Sequence, residues 1–258
     1  MRQNGIRDFR NQRIWIIGAS SGIGAACAQA LLLQGAKLAL SSRRVERLEA
    51  LLSHENSANH LILPLDITQK GEIENAYEQI NQAWGGIDLL LFVSGIYIPL
   101  RADHFNIADA QLTIESNVLG PMRAVAAVLP KMLENHSGHI AIVGSVAGYS
   151  GLPKALAYGP SKAAMILFCE TLFYDLQPQG ISVHMISPGF VETDAVANND
   201  FEMPALISAE VAAKEIVLGI QKGEFDIHFP KRFSRFLKFL RILPYPLYFW
   251  LLRRFVKI

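Results

Sequence analysis

The 258-residue sequence predicts an α/β protein in which a parallel sheet is wrapped by helices. Three observations carry this reading. Short apolar runs alternate with longer stretches of helical periodicity along most of the chain. A glycine-rich turn joins the first apolar run to the first helix. Hydrophobic residues make up 51% of the chain and charged residues 18%, a balance that suits a well-buried core and argues against disorder.

Taken in order, Ile14-Trp-Ile-Ile17 is a buried strand and Gly18-Ala-Ser-Ser-Gly22-Ile-Gly24 the turn after it. An alanine- and leucine-rich helix over 25–34 is stopped by Gly35. Strand 37–41 leads into the charged helix 45–53, and strand 60–65 ends at Asp66. Helix 70–84 precedes strand 88–93, and one long helix is expected over 109–133. The run His139-Ile-Ala-Ile-Val-Gly-Ser145 reads as a buried strand closed by a serine. Helix 158–177, strand 182–186, helix 208–221 and strand 225–229 complete the alternation. No repeat, linker or low-complexity stretch interrupts it, so 1–230 is expected to form one dinucleotide-binding catalytic domain, with 231–258 as a separate tail.

The first turn has the composition of a pyrophosphate cradle. Gly18, Gly22 and Gly24 let the backbone approach the ligand, and the N-terminus of the following helix welcomes its charge. After the second strand, an acidic residue would hydrogen-bond the free 2′-hydroxyl of NAD. Here the segment is Ser41-Ser-Arg43-Arg44, and guanidinium forks match phosphate oxygens. NADP is therefore the preferred cofactor and NAD the less favoured one; the alternative is that both arginines only solvate a helix start. Asp66 is placed to accept from an adenine amine or, alternatively, to cap the next helix.

Tyr158 and Lys162 lie four residues apart on one helix, so they share a face with β-carbons about 5–6 Å apart. A phenol titrates near ~10, too high for proton transfer at neutral pH, and a fixed ammonium is expected to pull that value down. Ser145 sits at a strand's carboxyl end, where open α/β sheets bind ligands. The three together can hold a carbonyl oxygen and pass it a proton. A lone Tyr-x-x-x-Lys more often means an aromatic ring packed beside a solvated lysine, so the weight lies in the company it keeps.

With these residues in place the chain resembles the short-chain dehydrogenase/reductases in their single-domain form. The resemblance spans 13–229 and rests on the G-x-x-x-G-x-G turn at Gly18, Gly22 and Gly24, on Asp66, Asn117, Ser145, Tyr158 and Lys162, and on Pro188-Gly189 followed by Thr193. It implies a Rossmann-type, doubly wound sheet of seven parallel strands with helices on both faces. It implies that Tyr158 exchanges a proton with the substrate oxygen, that Lys162 lowers the tyrosine pKa and holds the nicotinamide ribose, and that Ser145 positions the carbonyl. Asn117 would anchor a water that relays protons to Lys162. Ser20, Ser21 and Ile23 in the turn, Ile67 beside Asp66, Ser94 and Gly95 after the fourth strand, and Pro188, Gly189 and Thr193 complete the implied cofactor-binding set. The loop from Thr193 to about Leu206 would be a mobile substrate lid. Homodimers or homotetramers built on the helices of Asn117 and Tyr158 are implied as well. One detail supports the Asn117 role independently: Pro121, four residues on, has no N–H, so the Asn117 carbonyl loses its helical partner.

Two departures stand out. Ile17 replaces the usual threonine before the first glycine, and Phe92-Val-Ser-Gly95 replaces Asn-Asn-Ala-Gly after the fourth strand. Losing polar groups on both strands together would exchange a buried hydrogen bond for apolar packing, which can be nearly neutral.

The tail 231–258 is the least ordinary stretch. It holds eight Lys and Arg and no Asp or Glu, so from the overall +1 the remaining 230 residues sum to −7. Phe233, Phe236, Leu237 and Leu240 recur at helical spacing among Arg232, Arg235 and Lys238; Pro244 and Pro246 are expected to break the helix, and a second apolar–aromatic segment over 247–256 is closed by Arg253, Arg254 and Lys257. Such a segment suits a membrane headgroup region, a sister subunit or the rim of a substrate mouth. No apolar run reaches the ~20 residues that span a bilayer. The polar, basic first thirteen residues argue against a secretory signal, and Cys27 and Cys169 read as buried thiols of a reducing compartment, so a cytoplasmic protein is expected, with the inner face of a membrane as the alternative site that the tail offers. No metal site and no nucleic acid partner are expected. The resulting expectation is an NADP(H)-dependent oxidoreductase interconverting a carbonyl and a secondary alcohol on an apolar substrate bordered by Tyr97, Ile98, Leu152, Phe190 and Val191. A catalytically silent dinucleotide-binding regulator and a membrane-recruited scaffold are the alternatives.

Overall fold

Runs such as Ile14-Trp-Ile-Ile17 and Leu89-Leu-Leu-Phe92 show no polar alternation, because the strands they form are covered on both faces. The structure, a computed structural model, describes residues 3–53, 59–193 and 203–255. Its sheet has seven strands, β1 (Arg13–Ile17), β2 (Lys37–Ser41), β3 (Leu61–Ile62), β4 (Leu89–Phe92), β5 (Gly138–Val143), β6 (Ile181–Pro188) and β7 (Asp226–Phe229). They lie side by side in the order β3-β2-β1-β4-β5-β6-β7, every pair parallel. This is the doubly wound, Rossmann-type arrangement.

Helices α1 (Gly22–Leu32), α2 (Val45–Leu52), α3 (Glu72–Trp84), α4 (Ile107–Ile114), α5 (Gly120–Asn135), α6 (Tyr158–Leu176) and α7 (Ala209–Gln221) sheathe the sheet. Alternate residues of one strand feed two cores. Ile14 and Ile16 join α1 and α7 on one face, while Trp15 and Ile17 join α3, α5 and α6 on the other. Ile17 and Phe92 are direct register partners in the β1–β4 pair and both are buried in the same core, so the two departures from the family pattern meet as apolar packing.

Several expected boundaries move for identifiable reasons. The third strand is confined to Leu61–Ile62, because Pro64 has no N–H; Leu63 N and Leu65 N still donate to the carbonyls of Leu40 and Ser42 at 2.9 and 3.2 Å. The single helix expected over 109–133 is broken. A π-helical turn, Glu115–Leu119, separates α4 from α5. It ends just before Gly120-Pro121, where the proline removes a helical donor and crowds the carbonyl of residue 117.

The tail folds as α8 (Lys231–Arg241) and α9 (Tyr245–Phe255). Of the two prolines only Pro244 lies between the helices, in the link 242–244; Pro246 sits in the first turn of α9, where a missing N–H costs nothing, so it does not break a helix as expected. Leu237, Leu240, Tyr248 and Leu252 are buried in the α6-side core. Among the described residues no helix is long and apolar enough to cross a membrane. Val256 and Lys257 of the second tail segment, and 194–202 of the proposed lid, lie outside the described residues.

Candidate active site

Winding reverses between β1 and β4, and the crevice beyond their carboxyl ends is where such a sheet takes a ligand. The glycine turn lines it. Gly18 adopts φ +97°, and a β-carbon there would lie 2.6 Å from the Ser94 amide nitrogen, so β1 and β4 close on each other only through glycine. Gly22 adopts φ +52°, and its β-carbon would meet the Thr193 methyl at 2.6 Å. The N-cap of α1, Ser21, is extended and its side chain makes no capping hydrogen bond, so the first amides of the helix are left for an anion. The turn is thus a cradle that any side chain would fill, and it fits a dinucleotide pyrophosphate.

Arg44 arches over this turn, its Nε donating to Ser20 Oγ at 3.1 Å and its Nη2 to Ser21 Oγ at 2.6 Å. Arg43 instead leans toward Asp66, 3.9 Å away. Asp66 Oδ1 accepts from the amide and hydroxyl of Thr68 at 2.9 and 2.8 Å. Burial works against its ionisation, but the Thr68 bonds outweigh it and hold the carboxyl below its usual range. Asp66 therefore caps a local turn; the N-cap of α3 is Gly71, which removes the helix-capping alternative. The Ile67 side chain is buried in the core beside Gly120, so only its backbone faces outward from that position.

The second half of the site stands on β5 and the start of α6. Ser145, two residues beyond β5, accepts from the Ala147 amide at 3.1 Å, and its hydroxyl is near enough to Tyr158 to act on the phenol's ionisation. Tyr158 opens α6, and its ring meets Tyr97 edge-on at 5.0 Å. Lys162, one turn on, places its Nζ 5.7 Å from the Tyr158 ring centroid and donates to the Val143 carbonyl at 3.1 Å. Burial lowers the Lys162 pKa to about 8. Contrary to expectation, Tyr158 is raised above its ordinary value: burial dominates, and the opposing influence comes from the Ser145 hydroxyl. Lys162 donates to the Val143 carbonyl, and its ammonium is not among the influences acting on the phenol.

Asn117, on the π turn, is a latch. Its Oδ1 accepts from Ile96 N at 2.8 Å, and its Nδ2 donates to Ile96 O at 2.9 Å and to Ser161 Oγ at 3.1 Å. A β-carbon on Gly95 would lie 3.0 Å from Asn117 Oδ1 and 3.4 Å from Lys162 Nζ, so these three positions converge. The Asn117 side-chain amide thus bonds to both the Ile96 backbone and Ser161.

Ser145, Tyr158, Lys162, Asn117, Ser94 and Gly95 are brought together at the carboxyl edge, with Gly18, Gly22 and Thr193 beside them. Val191 is not at the mouth: it is buried in the α7-side core and bridges Ile207. Two participants escaped the sequence reading. Ser161 accepts from Asn117 and donates to the Tyr158 carbonyl at 2.7 Å, a link its i+3 spacing from Tyr158 could have signalled. The Val143 carbonyl has no sequence signature. The tail also reaches the site: a β-carbon on Gly189 would lie 3.1 Å from Phe233, and Tyr248 donates to the Gly151 carbonyl.

Comparison with known proteins agrees with this geometry. Residues 12–203 match the short chain dehydrogenase family. An uncharacterised oxidoreductase of Myxococcus xanthus is 32% identical over 235 residues, covering 90% of this chain and 93% of that protein. A dehydrogenase/reductase SDR family protein 7-like of Anopheles gambiae is 30% identical, covering 98% of this chain and 85% of its own length. The crystal structure of a short chain dehydrogenase from Burkholderia cenocepacia in complex with NADP superposes with a TM-score of 0.82 at 22% identity, over 95% of this chain and 99% of that one, a likeness of fold.

Proposed function

Because this chain belongs to the short-chain dehydrogenase family and is an oxidoreductase of that family, we propose that it interconverts a carbonyl and a secondary alcohol with NADP(H), on an apolar, lipid-like substrate. The observation that carries the proposal is the gathering of Ser145, Tyr158 and Lys162 at the carboxyl edge of the sheet, with the Lys162 ammonium 5.7 Å from the phenol ring centroid. When bound, the nicotinamide supplies or accepts the hydride.

The chain's own residues do the rest. Gly18, Ser20, Ser21, Gly22, Ile23 and Gly24 would hold the pyrophosphate, Arg44 with Arg43 the 2′-phosphate, and Asp66 the adenine. Ser94, Gly95, Lys162, Pro188, Gly189 and Thr193 would hold the nicotinamide half. Ser145 orients the substrate oxygen toward Tyr158. Burial keeps the Tyr158 proton on the phenol until an oxygen is there to accept it, which is the state carbonyl reduction needs. Lys162, titrating at about 8, can then pass a proton toward Tyr158 and be refilled through water at the Asn117 carbonyl. Tyr97, Leu152 and Phe190 give the mouth its apolar character. Exposed Ile107, Leu112, Ile114, Leu119, Leu167 and Tyr174 on the α4–α6 side support assembly into homodimers or homotetramers through that face.

The test is Tyr158→Phe, assayed by NADPH consumption against ketones of graded chain length. Turnover should fall by about a thousandfold, with the NADPH dissociation constant little changed. Undiminished turnover, or NADPH binding lost to the same degree, would overturn the assignment.

A further inference from the structure

Among the described residues, the tail is docked on one side and exposed on the other. Its inward side is fixed by the buried Leu237, Leu240, Tyr248 and Leu252, by the ion pair of Lys238 with Asp226, and by Ser234 Oγ donating to the Pro230 carbonyl at 2.8 Å. It is fixed specifically at the substrate end. Phe233 stacks near Phe190 at 5.8 Å between centroids, and Tyr248 holds the Gly151 carbonyl in the segment that follows Ser145.

Its outward side is apolar, aromatic and basic. Phe239, Ile242, Tyr245, Leu247, Phe249 and Trp250 are exposed, Ile242 to 76%, Tyr245 to 75% and Trp250 to 59%. Arg232, Arg235, Arg241, Arg253 and Arg254 are exposed among them, with no acidic residue anywhere in 231–258. Apolar surface of this density is not left in water, and tryptophan and tyrosine beside arginine is the composition that sits at headgroup level.

We propose that the outward face of α8 and α9 docks the protein on an anionic lipid surface, with the substrate mouth held at the contact. Charge decides the occupant. A two-fold contact between copies of this face would set arginine against arginine. The tail carries +8 and the remaining 230 residues −7, so the chain is a charge dipole that an anionic surface turns tail-first and repels elsewhere. Each tail helix has 11 residues, far short of a span, so the tail lies on the surface. An apolar substrate dissolved in the lipid then enters past Phe233 and Tyr248 without crossing water. The docking stands independently of the proposed reaction.

Flotation of the full chain tests it, with vesicles of phosphatidylcholine alone and of phosphatidylcholine mixed with phosphatidylglycerol, at low and high salt. The protein should float with the mixed vesicles at low salt and be released by high salt. Arg253→Gln with Arg254→Gln should weaken partitioning by about thirty-fold, and Phe249→Ser with Trp250→Ser should weaken it at either salt. NADPH binding and far-ultraviolet circular dichroism should be unchanged in both variants, which separates lost docking from lost folding. No flotation at low salt, or flotation indifferent to both pairs of substitutions, overturns the proposal. So does a wild-type dimer that the Phe249/Trp250 variant converts to monomer while neither binds vesicles, since the face would then join subunits.

Discussion

Lys162→Met should make the protein more stable while destroying its activity. The ammonium is buried, and burial brings its pKa from an ordinary 10.5 to about 8. At 1.36 kcal/mol per pH unit, that depression means the charged form costs the fold about 3 kcal/mol at neutral pH. Methionine fills a similar volume without the charge, but it forfeits the 3.1 Å hydrogen bond to the Val143 carbonyl, worth ~1 kcal/mol. The variant should therefore gain about 2 kcal/mol at pH 7. The sign follows from proton counts. Below pH 8 both folded and unfolded chains carry the proton and the wild type bears the whole cost. Between 8 and 10.5 only the unfolded chain does, so wild-type stability climbs with pH. Above that window the cost is gone, and the variant should be the weaker protein by the lost bond alone. Urea unfolding of both proteins without cofactor, at pH 7 and again near the top of the window, measures the crossover. A variant destabilised at pH 7, or a difference that does not change with pH, refutes the reasoning.

Gly22→Ala should weaken NADPH binding at least tenfold, because its β-carbon strikes the Thr193 methyl and its φ of +52° strains any L side chain by about 1–2 kcal/mol. Adding Thr193→Ser removes the methyl and should recover part of that loss in a titration, whereas no recovery would place the damage elsewhere. Arg44→Ala should raise the KM for NADPH at least tenfold and change that for NADH by less than threefold; equal effects on both cofactors would remove Arg44 from the 2′-phosphate. The pair His139 and His184 should make the fold acid-sensitive. Their rings stand 3.1 Å apart between Nδ1 and Nε2, and His184 Nδ1 donates to the Glu224 carbonyl at 2.7 Å. Burial lowers them to about 3 and about 4. Both stay neutral in the fold while the unfolded chain takes up protons below 6.5, so stability should fall by about 1.4 kcal/mol per pH unit for each ring as pH drops from 6.5 toward 4. His139→Gln should halve that slope in denaturant titrations; an unchanged slope would assign the loss to carboxylates.

Strand content and the placing of Ser145, Tyr158 and Lys162 were legible in the sequence because each depends on local pattern (apolar runs, glycines at a turn, a four-residue helical spacing), whereas the order of the sheet came only from the family resemblance. What escaped was decided by partners distant in sequence. The helix over 109–133 looked continuous, since Pro121 and Pro130 among good helix formers signal kinks but not the π turn that carries Asn117. The raised Tyr158 pKa was misjudged because spacing set Lys162 beside the ring, while the Val143 carbonyl, nineteen residues earlier on a different element, claims its ammonium. The exchange of polar for apolar groups at Ile17 and Phe92 was legible as a paired change, and register explains it: the two residues face each other across β1 and β4.

The two halves of the site are joined through Asn117. Ile96 follows Ser94 and Gly95 on the cofactor side of the crevice, and Asn117 grips its amide and carbonyl together as another strand would. The same side chain donates to Ser161, which in turn donates to the Tyr158 carbonyl at the head of α6. The loop after β4 and the helix bearing the phenol therefore share one anchor, and neither can shift by an ångström without breaking a buried hydrogen bond. Residue 117 makes these contacts from the π turn Glu115–Leu119, just before Pro121. Pro121 lies just after that turn, and with no N–H it cannot serve as the helical donor to the residue-117 carbonyl.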